Sequence, residues 1–222
     1  MRTTSAAIVT RKLEIMDWQL DAAETRVLGA LLEKEITTPD YYPLSTNALV
    51  NACNQKSNRE PVVAYDDDTV EDALENLRTK GLAMRVTGDG RVAKHEQRFT
   101  EKFNLGRREA ALLCVLMLRG PQTVGELRGR SERLYSFDDL ESVESTLARL
   151  TEMGYVKKLP RRTGFKEQRW AHLLAGDVEE VEEASAAPPS ERGPGDRDRI
   201  AKLEADLAAL RQEFDEFRRR FE

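Results

Sequence analysis

The sequence predicts an α+β fold, mainly helical, and three observations carry the prediction. A pattern at Val70–Val86 (VEDALENLRTKGLAMRV) returns at Val143–Leu159 (VESTLARLTEMGYVKKL) under one constant shift of 73 residues, which brings Val70 onto Val143, Leu74 onto Leu147, Leu77 onto Leu150 and Gly81 onto Gly154. Val, Leu, Leu at i, i+4, i+7 lay one apolar stripe along a helix, and the Gly after the last turn supplies the left-handed residue that closes it. A short strand then starts at Leu82 or Tyr155, and its returning partner is marked by Glu96-Gln97-Arg98-Phe99 and Glu167-Gln168-Arg169-Trp170. Helix, Gly stop, strand, turn and returning strand make the last helix and wing of a winged helix. The expected architecture is therefore two tandem winged-helix domains, 21–104 and 105–175. An N-terminal arm (1–20), a disordered linker (176–198) and a C-terminal coiled-coil-like heptad helix (199–222) complete it.

In the first repeat, Asp21-Ala-Ala-Glu24 has the form of an N-cap with its reciprocal Glu. Val27, Leu28, Leu31 and Leu32 give the first helix a buried face as far as about Glu35, and Thr37–Pro43 breaks it. Ser45 caps a second helix that runs through Cys53. After the third helix, Leu82–Val86 and Arg91–Phe99 are expected to pair around Thr87-Gly-Asp-Gly90, since Asp-Gly between two strands is a strong hairpin signal. In the second repeat, Arg107–Leu118 is the fourth helix, ended by Gly120-Pro121. Thr123-Val-Gly-Glu126 forms a capping box for a fifth helix to about Leu134, and Asp138 starts the sixth. Val156–Leu159 and Gln168–Leu173 make the second wing around Pro160–Phe165.

The unusual stretch is NQKSNREPVVAYDD, Asn54–Asp67, between the second and third helices. A helix-turn-helix joins these helices with about three or four residues. The loop is rich in amide and basic groups, and it reads two ways. It is either an ordinary solvated loop with local Asn turns, or a partner-binding surface made by Asn54, Gln55, Lys56, Asn58 and Arg59. The stretch TTPDYYPLSTNALVNACNQKSNREPV (Thr37–Val62) resembles the hallmark of the YceH-type uncharacterised bacterial protein family, as do RVLGALLEKE before it and KHEQRF, LRGPQTVGELRGR and RWAHLL after it. The resemblance spans about Glu24 to Leu174 and implies tandem winged helices, in agreement with the internal repeat. It implies no activity and no catalytic residue.

Composition bounds the functional classes. Net charge is −5 over 222 residues, so no global attraction to nucleic acid exists and any such contact must be local. Ala110–Leu118, the longest apolar run, is too short to span a bilayer, and residues 1–20 lack the pattern of a signal peptide. Cys53 and Cys114 sit far apart in apolar helical patterns, as buried thiols of a cytoplasmic protein do. His95 and His172 stand alone, without acids or Cys at metal-ligand spacing, and no nucleophile motif surrounds Ser45, Ser57 or Ser131. Neither a cofactor, a metal nor catalysis is expected.

Charge separates helices from wings. Residues 66–80 hold six acids against Arg78 and Lys80, net −4, and residues 138–153 hold five acids against Arg149, again −4. The acids crowd the first turns, where capping and the helix dipole favour them, yet they would repel phosphate at the end that meets bases in a DNA-reading winged helix. Residues 157–169 carry the opposite balance, net +5. The candidate nucleic-acid contacts are therefore Lys157, Lys158, Arg161, Arg162, Lys166 and Arg169 on the second wing, with Arg128 and Arg130 on the fifth helix. Such contact would be with phosphates, salt-sensitive and poor in sequence specificity. A solvated basic hairpin that blocks edge pairing explains the same charges.

Beyond the linker, Ile200, Leu203, Leu207, Leu210, Phe214, Phe217 and Phe221 step by alternating threes and fours, a heptad seam. Across a parallel dimer Asp206 would lie opposite Arg211 and Glu213 opposite Arg218, so homo-oligomerisation through 200–221 is expected. The first functional expectation is a DNA-binding, regulator-like protein that touches duplex phosphates through its wings. The second is a protein–protein interaction module without nucleic-acid binding. No membrane is expected as a partner.

Overall fold

The computed structural model describes residues 19–86, 92–161 and 167–177. Residues 1–18 of the N-terminal arm, 87–91 and 162–166 of the two hairpin turns, the linker beyond Asp177 and the heptad helix lie outside the described residues.

α1 (Ala22–Thr37) starts from the expected capping box: Asp21 Oδ1 accepts from Glu24 N at 2.7 Å, and Glu24 Oε2 accepts from Asp21 N at 2.8 Å. A single 3₁₀ turn (Pro39–Tyr41) leads to β1 (Leu44–Ser45) and α2 (Thr46–Cys53), which Ser45 caps. α3 (Asp67–Thr79) buries Val70, Ala73, Leu74 and Leu77, the stripe read from the repeat. Gly81 follows with φ +68°, where a Cβ would be strained. β2 (Ala83–Val86) then pairs with β3 (Lys94–Gln97) in antiparallel register, Ala83 opposite Gln97. β1 adds to the other side of β3, with Leu44 opposite His95, so the strand order is β1-β3-β2.

The same order of elements recurs. α5 (Arg107–Arg119), α6 (Val124–Ser131) with its Thr123/Glu126 capping box, and α7 (Leu140–Glu152) precede β4 (Val156–Lys158) and β5 (Trp170–His172). Gly154 ends α7 with φ +81°, as Gly81 ends α3. Val156 pairs with His172, and Gln122 bridges Trp170 at the place β1 takes in the first sheet. Between the repeats lies α4 (Phe99–Phe103).

α4 departs from the reading of Phe99 as the end of a strand. Phe99 and Phe103 are one helical turn apart, so both rings point one way. Their centroids lie 5.3 Å from each other and 6.4 and 5.5 Å from the ring of Tyr155, all edge-on. Burial of this aromatic trio against the second repeat outweighs strand extension. α6 also stops earlier than expected, at Ser131, whose carbonyl accepts from both Leu134 N and Tyr135 N and tightens the chain into the turn.

The first helices of the repeats hold the molecule together. α1 and α5 pack on one another, and the apolar residues of both repeats form a single buried cluster. The helices come closest at Gly29. A Cβ there would lie 2.9 Å from Leu118 Cδ2 and 3.2 Å from Met117 Cβ, and Cys114 Sγ sits 3.5 Å from Gly29 O. Gly29 and Cys114 occupy matching positions, as do Glu24 and Glu109. Each of those buried carboxylates is held by a base from the C-terminal half of its own repeat's third helix or cap: Lys80 at 2.5 Å from Glu24 and Arg149 at 3.0 Å from Glu109. At the far end Leu20 N donates to Leu174 O at 2.8 Å, tying the start of the first repeat to the end of the second. Among the described residues no helix is long and apolar enough to cross a membrane.

Candidate functional site

Capping consumes one carboxylate on each third helix. Asp66 accepts from Thr69 N and Oγ1, and Asp139 accepts from Ser142 N; these bonds hold both carboxyls below their ordinary range. The remaining acids face outward. Asp67, Asp68, Glu71, Asp72 and Glu75 are exposed on α3, and Glu141, Glu144 and Glu152 on α7. Of the neighbouring bases, one offsets a single acid on its face and the other turns to a buried one. Arg78 pairs with Glu75 at 2.7 Å, and Arg149 is drawn to the buried Glu109. Leu140, 48% exposed, is an apolar side chain at the start of the α7 face.

The basic residues singled out in the second repeat divide into two groups. Arg128 spans the α6–α7 turn, donating to Phe137 O at 3.2 Å and Asp138 O at 2.7 Å. Arg130 bonds Gln122 Oε1 and pairs with Glu126 at 3.3 Å. Both side chains are therefore engaged in holding α6. On the hairpin, Lys157 pairs with Asp177, and Lys158 Nζ stands 5.8 Å from the centre of the Trp170 ring. Arg161 is exposed and Arg169 half-buried. Arg162 and Lys166 lie outside the described residues.

The Asn54–Asp67 loop turns inward at the residues expected to meet a partner. The Asn54 side chain donates to Tyr65 O and accepts from Tyr65 N, both at 2.8 Å, closing the neck of the loop. Arg59 carries a fully buried guanidinium that grips Glu33 at 2.6 and 3.3 Å and donates to Ala52 O. Asn58 Oδ1 accepts from Arg119, and Glu60 N donates to Leu118 O at 2.9 Å. Arg26 reaches across to Cys53 O and Pro61 O; burial, then the nearby Arg59, lowers its pKa. The side chains of Asn54, Asn58 and Arg59 are thus all bonded within the protein. Glu33 lies on the buried side of α1, where a carboxylate needs a cation, and the last carbonyls of α5 need donors. Gln55 is half-buried and Lys56 exposed.

Glu33 and Arg119 escaped the sequence reading, whereas Arg133 is one of the bases of the expected fifth helix. Together with Arg130 and Asn58 they line a cleft at the junction of α1, the loop, α5 and α6. Arg133 contacts Glu33 at 3.5 Å. The available signal was Glu33 itself, an acid directly after the apolar Leu31-Leu32 pair. Burial pushes the Cys53 thiol up to about 12 and raises that of Cys114, so neither is a ready thiolate. Among the described residues no three His, Cys, Asp or Glu side chains gather as a metal-ligand set.

The class defined by this architecture is a helix-dominated α+β protein built from a duplicated unit of three helices and an antiparallel hairpin. The chain belongs to the family described as "Protein of unknown function, DUF480", whose model matches residues 20–165, and the resemblance seen at Thr37–Val62 is thereby confirmed. It is 73% identical to a UPF0502 protein of Solibacter usitatus over 207 residues, covering 93% of this chain and all of that one. UPF0502 proteins of Citrifermentans bemidjiense (53% identical over 196 residues, 87% of this chain and 90% of the relative) and Aeromonas hydrophila (46% over 202 residues, 88% and 93%) are similar along most of their length.

Proposed function

We propose that the chain is a cytoplasmic tandem winged-helix protein that catalyses nothing and works by binding another protein, with the outer faces of α3 and α7 presented to a basic partner. Three helices and a hairpin in each repeat support the winged-helix reading, as does the β1-β3-β2 sheet of the first, whose β1 has only the Gln122–Trp170 bridge as its counterpart in the second. One observation carries the choice of partner. The helix that reads bases in a DNA-binding winged helix is here lined outward by carboxylates in both repeats, which capping does not use up. Phosphate would be repelled there, whereas Lys- and Arg-rich protein surfaces would be steered in. Self-association through 200–221 belongs to the same proposal and would present the acidic faces in multiple copies.

A second reading keeps phosphate contact on the second hairpin alone, favoured by the exposed Arg161 with Lys158 and Arg169 nearby. The two separate in one experiment. Nuclease-treated affinity capture with the whole chain should retain basic proteins that are lost when Glu71, Glu75, Glu141 and Glu144 become Lys. Retention of the same proteins by that variant would end the protein-partner reading. Salt-sensitive retardation of duplex DNA that disappears on replacing Arg161, Arg162 and Lys166 by Ala would hand the function to the hairpin.

A further inference from the structure

The cleft between the repeats is unlike either surface discussed above. Arg119, Arg130 and Arg133 line it together with Glu33, whose carboxylate the buried Arg59 grips from behind. Three carboxylates balance them. Glu33 is held by Arg59 with Lys34 at 3.8 Å, Glu126 is paired with Arg130, and Glu60 acts on Arg119 from the loop. Four guanidinium groups and one ammonium against three carboxylates leave a local excess of positive charge. Burial lowers the pKa of Arg119 and repulsion from Arg130, then Arg59, lowers it further, while the carboxylates of Glu60 and Glu33 offset part of that repulsion. Such repulsion costs stability unless an anion relieves it.

The guanidinium groups also keep donors in hand. Each offers five N–H groups. Among the described residues, Arg119 gives one to Asn58, Arg133 gives one, at a long 3.5 Å, to Glu33, and Arg130, though held to α6, gives one to Gln122 and one edge to Glu126, which leaves its remaining N–H groups for the opening. The forks arrive from α5, α6 and the segment after α6, on different sides of the same opening. A tetrahedral oxyanion can accept from several forks at once, whereas a planar carboxylate matches one. The cavity itself is only about 10 Å³, room for about one water. An anion must therefore sit at its mouth, with Arg133, whose side chain is 62% exposed, able to swing over it.

We infer that this cleft is a binding site for the phosphoryl group of a small molecule, held by Arg119, Arg130 and Arg133 with the rest of the ligand directed to solvent. The site goes beyond the protein-partner reading and shares no residue with the α3 and α7 faces. It joins α1 to α5 and α6, so occupancy would stiffen the junction between the repeats.

Titration calorimetry of the whole chain with inorganic phosphate tests it, against sodium chloride at matched ionic strength. The expected result is saturable binding of phosphate that weakens at least tenfold in Arg133→Gln and in Arg130→Gln. Arg149→Gln on α7 should bind like the wild type. Thermal melting in chloride shows that each variant is folded; because Arg133 is exposed, its variant keeps the test alive if Arg130→Gln does not fold. Heats no larger than those of chloride, or equal binding by wild type and Arg133→Gln, would overturn the inference. Stoichiometric displacement of phosphate by a short DNA duplex would also overturn it, by assigning the cleft to a nucleic-acid backbone.

Discussion

Arg59 and Glu33 show how one pair sets local structure. With side chains 0% and 5% exposed, neither ion can be left alone in place. Replacing Arg59 by Met should destabilise the fold by about 3–5 kcal/mol, because Glu33 then keeps a buried, unmatched charge. Adding Glu33→Gln should recover much of that loss, a coupling that denaturant melts of the two single variants and the double variant would reveal. If the double variant were as unstable as the sum of the singles, the pair would not be the reason the loop folds inward. His172 gives a pH dependence. Its Nδ1 is closed off from solvent and has no hydrogen-bond partner among the described residues, and burial lowers its pKa from 6.5 to about 4. Below pH 6.5 the unfolded chain takes up a proton that the folded chain refuses until about pH 4. Protonation therefore favours unfolding, and stability falls as pH drops through this window by at most about 1.4 kcal/mol per unit. His95, also lowered by burial, acts in the same direction, while Glu35, raised by burial, acts in the opposite one. The difference between wild type and His172→Gln isolates the ring. Measured between pH 6.5 and 5.5, the variant should show the shallower decline, and identical slopes would contradict the assignment.

At the scale of elements, the helices that carry a ridge of Val and Leu were legible in the sequence because period and capping agree there. Asp21 with Glu24 and Thr123 with Glu126 close as capping boxes, and Gly81 and Gly154 stop their helices in the left-handed region. α4 was not legible, because Phe99 and Phe103 take their helical turn only when Tyr155, far along the chain, offers a ring to pack on. The inward loop was hidden for a similar reason. Local composition marks Asn54–Arg59 as polar, but the partners that draw it in are Glu33 on α1 and the end of α5. Among the candidate phosphate contacts, Arg128 and Arg130 looked the same in sequence as the hairpin bases. What separates them is the carbonyls and acids that α6 brings within reach. The α1–α5 crossing yields its own prediction. Gly29→Val should cost about 1–3 kcal/mol through overpacking against Leu118 and Met117, read as a lower denaturant midpoint at unchanged slope. Gly125→Val on α6, where a Cβ meets nothing within 4 Å, should lower it far less.

For the molecule as a whole, the two repeats present their third helices outward because their first helices are joined inside. The apolar residues of both form one cluster, the paired carboxylates Glu24 and Glu109 anchor each third helix to its own first helix, and Leu20 and Leu174 bond the ends together. A chain built this way opens as a unit, since separating the repeats would expose the faces of α1 and α5 at once. The most direct test is native-state hydrogen exchange under rising denaturant, followed at the central amides of α1 around Gly29 and of α5 around Cys114. The predicted result is one common free energy of opening, equal to that of global unfolding, for both helices. Exchange of the α1 amides through a lower-energy opening while those of α5 stay protected would contradict the shared core, and with it the fixed placement of the two acidic faces.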